Sequence, residues 1–283
     1  MLLRRIEKLV KTFVEKCYEN DFELFLSPEV EALKDLSKLE KDWIFFQARN
    51  GELFKLRNDY TASIVEYFNK LQLERLRVWY TGFVYRYDHS GEVRPKFQLG
   101  VEIIPCSSLK DLELVLQLLI ETVLSSLADR ILVEIGDSRA IEKCVQHVPK
   151  KFRKQLFELI DRKDVSEIEF FASLHGLDLS KVVKLVENSF TKRSVDELKD
   201  FPLDSTIEAE IVRMVDFLSN FSHIAVELDF SIARTIEEYD GPTFTMFDLK
   251  NSLLIAAGGR YKVNENTLAV GGTIFLEERI WSN

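Results

Sequence analysis

The chain has 283 residues, with 38 Lys and Arg against 47 Asp and Glu, 46% hydrophobic residues and 21 phenylalanines. That is enough length and apolar content for one large core, or a core with a modest insertion, and it argues against disorder. A net charge of −9 argues against a nucleic-acid partner, because polyanion affinity rests on Lys and Arg neutralising phosphates.

No apolar run reaches the ~20 residues that span a bilayer; the longest, Leu109 to Leu132, is interrupted by Lys110, Glu113, Glu121 and Arg130. The first residues lead into an amphipathic helix where a signal peptide needs an apolar segment, so the expectation is a cytoplasmic protein without membrane contact. Cys17, Cys106 and Cys144 are far apart, as are His89, His147, His175 and His223. Neither set has disulfide or zinc spacing, and no metal or cofactor is expected.

Residues 2–18 carry a helical stripe of Leu3, Ile6, Leu9, Val10, Phe13, Val14 and Cys17. Phe22 to Leu26 reads as a short strand, and Ser27-Pro28-Glu29-Val30 predicts a capped short helix. Trp43–Gln47 and Leu53–Leu56 predict two strands around the hairpin signal Asn50-Gly51. A helix over Thr61–Leu71 follows, then long strands over Leu76–Tyr87 and Lys96–Ile104, linked by Asp88-His89-Ser90-Gly91. Leu109–Ala128 predicts a long helix and Arg130–Ile135 a buried strand. Between about 138 and 205 the pattern changes to short charged helices, whose basic clusters at 150–154 and 162–163 suit solvated faces. A helix over Thr206–Phe221 precedes strand-like segments at 223–230, 242–248, 252–257 and 267–275. Adjacent strands in tight hairpins predict an antiparallel sheet and an α+β class. There is no βαβ alternation and no Gly-rich nucleotide loop.

Four stretches place polar groups where a plain sheet does not want them. In Leu56-Arg57-Asn58-Asp59-Tyr60-Thr61-Ala62, Asp59 or Thr61 can cap the following helix. On the strand containing Tyr80, Gly82, Val84 and Arg86, these four share one face, and an Arg among apolar neighbours needs an anion. Gln98, Gly100 and Glu102 share another face, with Gln98 and Glu102 about 13 Å apart. A glycine between them suggests a small zwitterion lying across Gly100. Finally, an apolar strand runs into Gly258-Gly259-Arg260-Tyr261, where the backbone can approach a ligand and Arg260 can meet an anion.

In this order and spacing the stretches resemble the catalytic core of histidyl-tRNA synthetase, a class II aminoacyl-tRNA synthetase. Phe25-Leu26-Ser27-Pro28 resembles the end of motif 1, the dimer-forming element of that family, and Leu56 to Ala62 its Leu-Arg-Pro-Glu-Gly-Thr-Ala segment. Thr81 to Asp88 with Gln98-Leu99-Gly100-Val101-Glu102 resembles motif 2. Ala233 to Gly241 resembles the histidine-specific segment, and Ala257 to Tyr261 with Leu268 to Gly272 the motif 3 region. The resemblance implies a class II synthetase-like antiparallel sheet flanked by helices, spanning 1–283 with a small helical insertion at about 138–205. It implies a histidine pocket in which Asp59 and Thr61 hold the amino group, Arg86 and Gln98 the carboxylate, and Glu102 and Tyr239 the imidazole. Arg234, Gly258, Gly259, Arg260 and Tyr261 form an adjoining set.

The departures from the family pattern set the function expected. Asp59 stands where the family has Glu, one methylene longer. Glu278 stands where the family has the Arg that contacts ATP phosphates, and Glu238 and Asp240 add negative charge where an adenylate would form. Stripping cations from a site of developing phosphate charge removes the main catalytic contribution. The chain ends at Asn283, directly after the motif 3 region, so no anticodon-binding domain is expected. The resemblance therefore implies the non-catalytic branch of the family: a regulatory subunit that activates the short catalytic subunit of ATP phosphoribosyltransferase. It would act as a homodimer within a hetero-oligomer and mediate feedback inhibition by L-histidine in the first step of histidine biosynthesis. Two alternatives are a truncated ligase that forms histidyl-adenylate and a dimeric scaffold with a vestigial pocket.

Overall fold

Strand pairing sets the frame of the molecule. The computed structural model describes residues 2–33, 43–87, 91–189, 195–231 and 239–276. β5 (Leu76–Tyr87) and β6 (Val93–Ile104) form a long antiparallel hairpin with Leu76 opposite Ile104 and Tyr87 opposite Val93. β9 (Tyr239–Asp248), β10 (Leu253–Asn264) and β11 (Thr267–Phe275) form an antiparallel meander that joins β6 through β11. β7 (Ile131–Asp137) adds antiparallel to β9. At the edges, β8 (Ile224–Leu228) runs parallel to β7, and β1 (Glu23–Leu24) runs parallel to β5. The order is β1-β5-β6-β11-β10-β9-β7-β8. The antiparallel centre matches the hairpin-rich sequence. The parallel edge pairs, which need long crossovers, are not legible from it.

A small antiparallel sheet sits beside this one, in the order β2 (Val30–Ala32), β4 (Leu53–Leu56), β3 (Phe45–Gln47). The expected hairpin around Asn50-Gly51 joins β3 and β4. The short helix predicted from Ser27-Pro28-Glu29-Val30 does not form. Val30 pairs with Leu56 and Ala32 with Phe54. Arg57 N donates to Glu29 O at 2.9 Å, and the Arg57 guanidinium takes Ser27 O at 2.6 Å. The backbone groups that a helix would use are satisfied by a neighbouring strand.

One face of the large sheet is covered by helices. Leu9, Phe13 and Cys17 of α1 (Leu2–Glu19) and Leu112, Leu116 and Leu119 of α3 (Leu109–Ser126) bury against Leu99, Val101, Ile103, Val270 and Ile274. α3 starts with a capping box between Ser108 and Asp111. The helical segment comprises α4 (Ser138–Val145), α5 (Lys150–Asp161), α6 (Val165–His175) and α7 (Ser180–Asn188), followed by α8 (Ser205–Leu218). Ile141, Leu156, Ile160, Ile168, Val182 and Leu185 from α4 to α7 belong to the same core as α1 and α3. Helices this short are stable only when their apolar stripe is packed. The other face carries α2 (Tyr60–Leu71), whose Tyr60, Ile64 and Phe68 pack near Val78, Tyr80, Val84 and Tyr261. Among the described residues no helix is long and apolar enough to cross a membrane.

Candidate functional site

Alternation along β6 decides what faces the second side of the sheet. Leu99, Val101 and Ile103 point into the helix-covered core, so Gln98, Gly100 and Glu102 point toward α2. There Gln98 and Glu102 border a cavity of about 750 Å³, also lined by Asp59, Thr61, Arg86, Tyr239, Gly258 and Tyr261.

Glu102 forms its floor. It is 2% exposed and accepts hydrogen bonds from Thr61 Oγ1 at 2.6 Å and Tyr261 Oη at 2.9 Å. Among the described residues it has no cationic partner. Burial pushes its carboxyl up to about 8, against the two hydroxyl bonds that favour the ionised form; nearby Asp59 adds to the rise. Gly271 lies directly across the ladder, and a Cβ there would stand 1.8 Å from Glu102 Oε2. Only glycine lets the carboxyl occupy this position. A buried carboxyl of this kind suits a hydrogen-bond donor or a cation brought by a ligand.

At the rim, Asp59 is the N-cap of α2: Oδ1 accepts from Ala62 N at 2.9 Å. Its Oδ2 accepts from Arg86 at 2.9 Å, and Arg86 Nε donates to Asn58 O at 2.8 Å. The anion that Arg86 needs is therefore supplied by Asp59, and both side chains stay partly exposed at the cavity mouth. Gln98 is buried and lines the cavity.

The space over Gly100 is not left for a ligand, contrary to the expectation from sequence. A Cβ at Gly100 would lie 2.3 Å from the Tyr80 ring, which stands over it. Tyr80 Oη bonds Thr273 Oγ1 at 2.7 Å, and its ring stacks on Tyr60 at 4.2 Å. Arg260 does not line the cavity either, and neither does Gly259. The Arg260 guanidinium is bound to Glu210 and to Asp240 O, on the opposite side of β10 from Tyr261. Arg234, Glu238 and Glu278 lie outside the described residues.

Sequence reasoning did not single out Asn58, Lys262, Thr273 or the ring of Tyr80, all of which line the cavity. Tyr80 shares the alternation of Gly82 and Arg86, and Thr273 stands two residues beyond Gly271, so both carry a signal. Asn58 and Lys262 carry none. Among the described residues, no group of three or more His, Cys, Asp or Glu is arranged to hold a metal.

The sheet order, the motif strands and the cavity they enclose define the histidyl-tRNA synthetase class of fold. The family profile of histidyl-tRNA synthetase matches residues 2–278, and the chain belongs to that family. It is 36% identical over 270 residues to the ATP phosphoribosyltransferase regulatory subunit of Thermotoga maritima, covering 95% of this chain and 96% of that protein. It is 28% identical over 243 residues to a histidine–tRNA ligase of Pyrobaculum aerophilum, covering 82% of this chain but 58% of the ligase. A solved ATP phosphoribosyl transferase (HisG:HisZ) complex from Thermotoga maritima contains a chain that superposes with a TM-score of 0.85 at 35% identity, covering 95% of this chain and 96% of that one. A regulatory subunit/histidyl-tRNA synthetase structure from Bacillus halodurans superposes with a TM-score of 0.80 at 19% identity, covering 97% of this chain and 78% of that one, and shows the shared fold.

Proposed function

We infer that the chain is the non-catalytic regulatory subunit of an ATP phosphoribosyltransferase, which activates a short catalytic subunit at the first step of histidine biosynthesis. The observation that carries this reading is the match to the Thermotoga maritima regulatory subunit over nearly the full length of both proteins. Glu278, in place of the family's phosphate-contacting Arg, and Glu238 support it from the sequence. Mixing the purified chain with a short catalytic subunit is expected to form a complex and raise its turnover. Robust histidine-dependent exchange of pyrophosphate into ATP by the chain alone would instead support the ligase reading.

The finer proposal is that L-histidine is the effector and occupies the cavity over Glu102. The ring would meet Glu102 and Tyr239, and the amino-acid end would lie toward Thr61, Gln98 and the Arg86–Asp59 pair at the mouth. An imidazole nitrogen offers the donor that the buried Glu102 carboxyl can accept. Calorimetry with free histidine tests this directly, and absence of heat from both the chain and its complex would leave only a scaffold role.

The proposed assembly is a homodimer within the hetero-oligomer. Leu24, Leu26, Val30, Phe45 and Phe46 are exposed on β1, β2, β3 and the turn after β1, with Leu26 80% exposed. Exposed large apolar side chains on these elements suit a protein contact. Light scattering is expected to give a dimer mass, and Leu26→Asp to shift it toward monomer. Its proposed location is the cytoplasm.

A further inference from the structure

The helix-covered side of β10 holds a polar cluster built around a break in the sheet. Gly259 pairs with Thr243 and Tyr261 pairs with Tyr239, so Asp240, Gly241 and Pro242 bulge opposite the single residue Arg260. Arg260 fills that bulge. Its Nε donates to Asp240 O at 3.0 Å. Its guanidinium lies over Gly241, where a Cβ would come within 2.3 Å of Nε. Its two terminal nitrogens reach Glu210 of α8 at 3.3 and 3.1 Å. Glu210 in turn accepts from Arg139 of α4 at 2.6 Å. Ser138 holds the same bulge through a different contact: its Oγ accepts from Gly241 N at 3.1 Å and donates to Tyr239 O at 3.0 Å.

Both strands enter the cavity right beside this cluster. Tyr239 immediately precedes the bulge, Tyr261 immediately follows Arg260, and both line the cavity. Bulged backbone has lost its regular ladder bonds, so its position depends on the side chains that hold it. A planar guanidinium can do this with several donors in fixed directions, which a lysine cannot.

We propose that Arg260 is a positioning residue for the histidine site: by bolting the β9 bulge to α8 through Glu210, it sets where Tyr239 stands in the cavity. It touches no ligand itself. It also gives the cavity a direct mechanical connection to α4 and α8 behind the sheet. This inference rests on the proposed histidine reading for its binding arm only.

The test uses the full-length chain with Arg260→Gln, Glu210→Gln, Tyr239→Phe and the Arg260→Gln/Tyr239→Phe double variant. In Arg260→Gln, hydrogen exchange at the Asp240 and Gly241 amides is expected to rise at least tenfold, with Leu99 to Ile103 of β6 unchanged. Histidine binding, measured by calorimetry, is expected to weaken about tenfold. The double variant is expected to bind no more weakly than Tyr239→Phe alone, because Arg260 acts through Tyr239. Glu210→Gln keeps the bond to Asp240 O and is expected to give a smaller change in the same direction. It carries both readouts should Arg260→Gln fail to fold. Unchanged exchange at Asp240 and Gly241 overturns the proposal, and so do additive losses in the double variant. If the wild-type chain binds no histidine, the histidine reading fails, and the exchange measurement still decides the role of Arg260.

Discussion

Glu102 and Glu210 lie on opposite sides of the same sheet, and the fold treats them in opposite ways. Glu210 sits between two guanidiniums, those of Arg139 and Arg260. Glu102 is more deeply buried, and among the described residues it has only two hydroxyls for company. A carboxylate held by two arginines is complete without a ligand. A buried carboxyl without a cation carries a desolvation cost that a ligand can offset. The difference separates the side of the sheet that holds the chain together from the side that is open to a partner molecule.

The sharpest way to break that contrast is Glu102→Ala. In the reconstituted complex it is expected to abolish histidine inhibition, raising the half-inhibitory concentration more than ~100-fold, while gel filtration shows assembly intact. Unchanged inhibition would move the effector site elsewhere. Glu102→Gln sharpens the same contrast through pH. The native carboxyl holds its proton up to about pH 8, whereas the unfolded chain releases it near the ordinary carboxylate value. Its contribution to stability is therefore fully present below that ordinary value and is lost as pH rises toward 8. The wild type should lose on the order of a few kcal/mol between pH 5 and 8 that the Gln variant does not lose. Urea midpoints at the two pH values measure it.

Arg139→Ala attacks the other cluster. It removes the cation from Asp137, which is 2% exposed and keeps only its role as N-cap of α4. The expected cost is about 2 kcal/mol, read from denaturant unfolding, with little change in histidine affinity. Asp59→Ala falls between the two cases, because Asp59 caps α2 and pairs with Arg86 at the cavity mouth. It should cost about 1 kcal/mol of stability for the lost cap and also weaken histidine binding.

What could be read from sequence divides along the same physical line. The alternation of β6 placed Gln98, Gly100 and Glu102 on one face because strand geometry is local. Asn50-Gly51 announced its hairpin for the same reason. Ser27-Pro28-Glu29-Val30 misled, because a local capping pattern lost to pairing with Leu56, far along the chain. Alternation along β10 puts Arg260 and Tyr261 on opposite faces, so the two could not share one pocket; the β9 bulge that receives Arg260 is a non-local irregularity that no spacing reveals. The role of Gly100 was misread because the ring that needs its space belongs to Tyr80, on the neighbouring strand. Self-contained periodicities were legible, and contacts made across strands were not.

The outer edge of β5 has a further consequence. β1 pairs only Glu23 and Leu24 with Val78 and Trp79. Beyond it, Phe25 N donates to Trp79 O at 2.8 Å and Tyr85 N to Arg57 O at 2.9 Å. These short, separate bonds occupy main-chain groups at both ends of the edge without building a full strand there. A foreign β-strand arriving at this margin finds no continuous row of donors and acceptors to copy, so filament-like growth is blocked at this margin. Association here has to proceed through side chains, which can be tuned residue by residue and reversed.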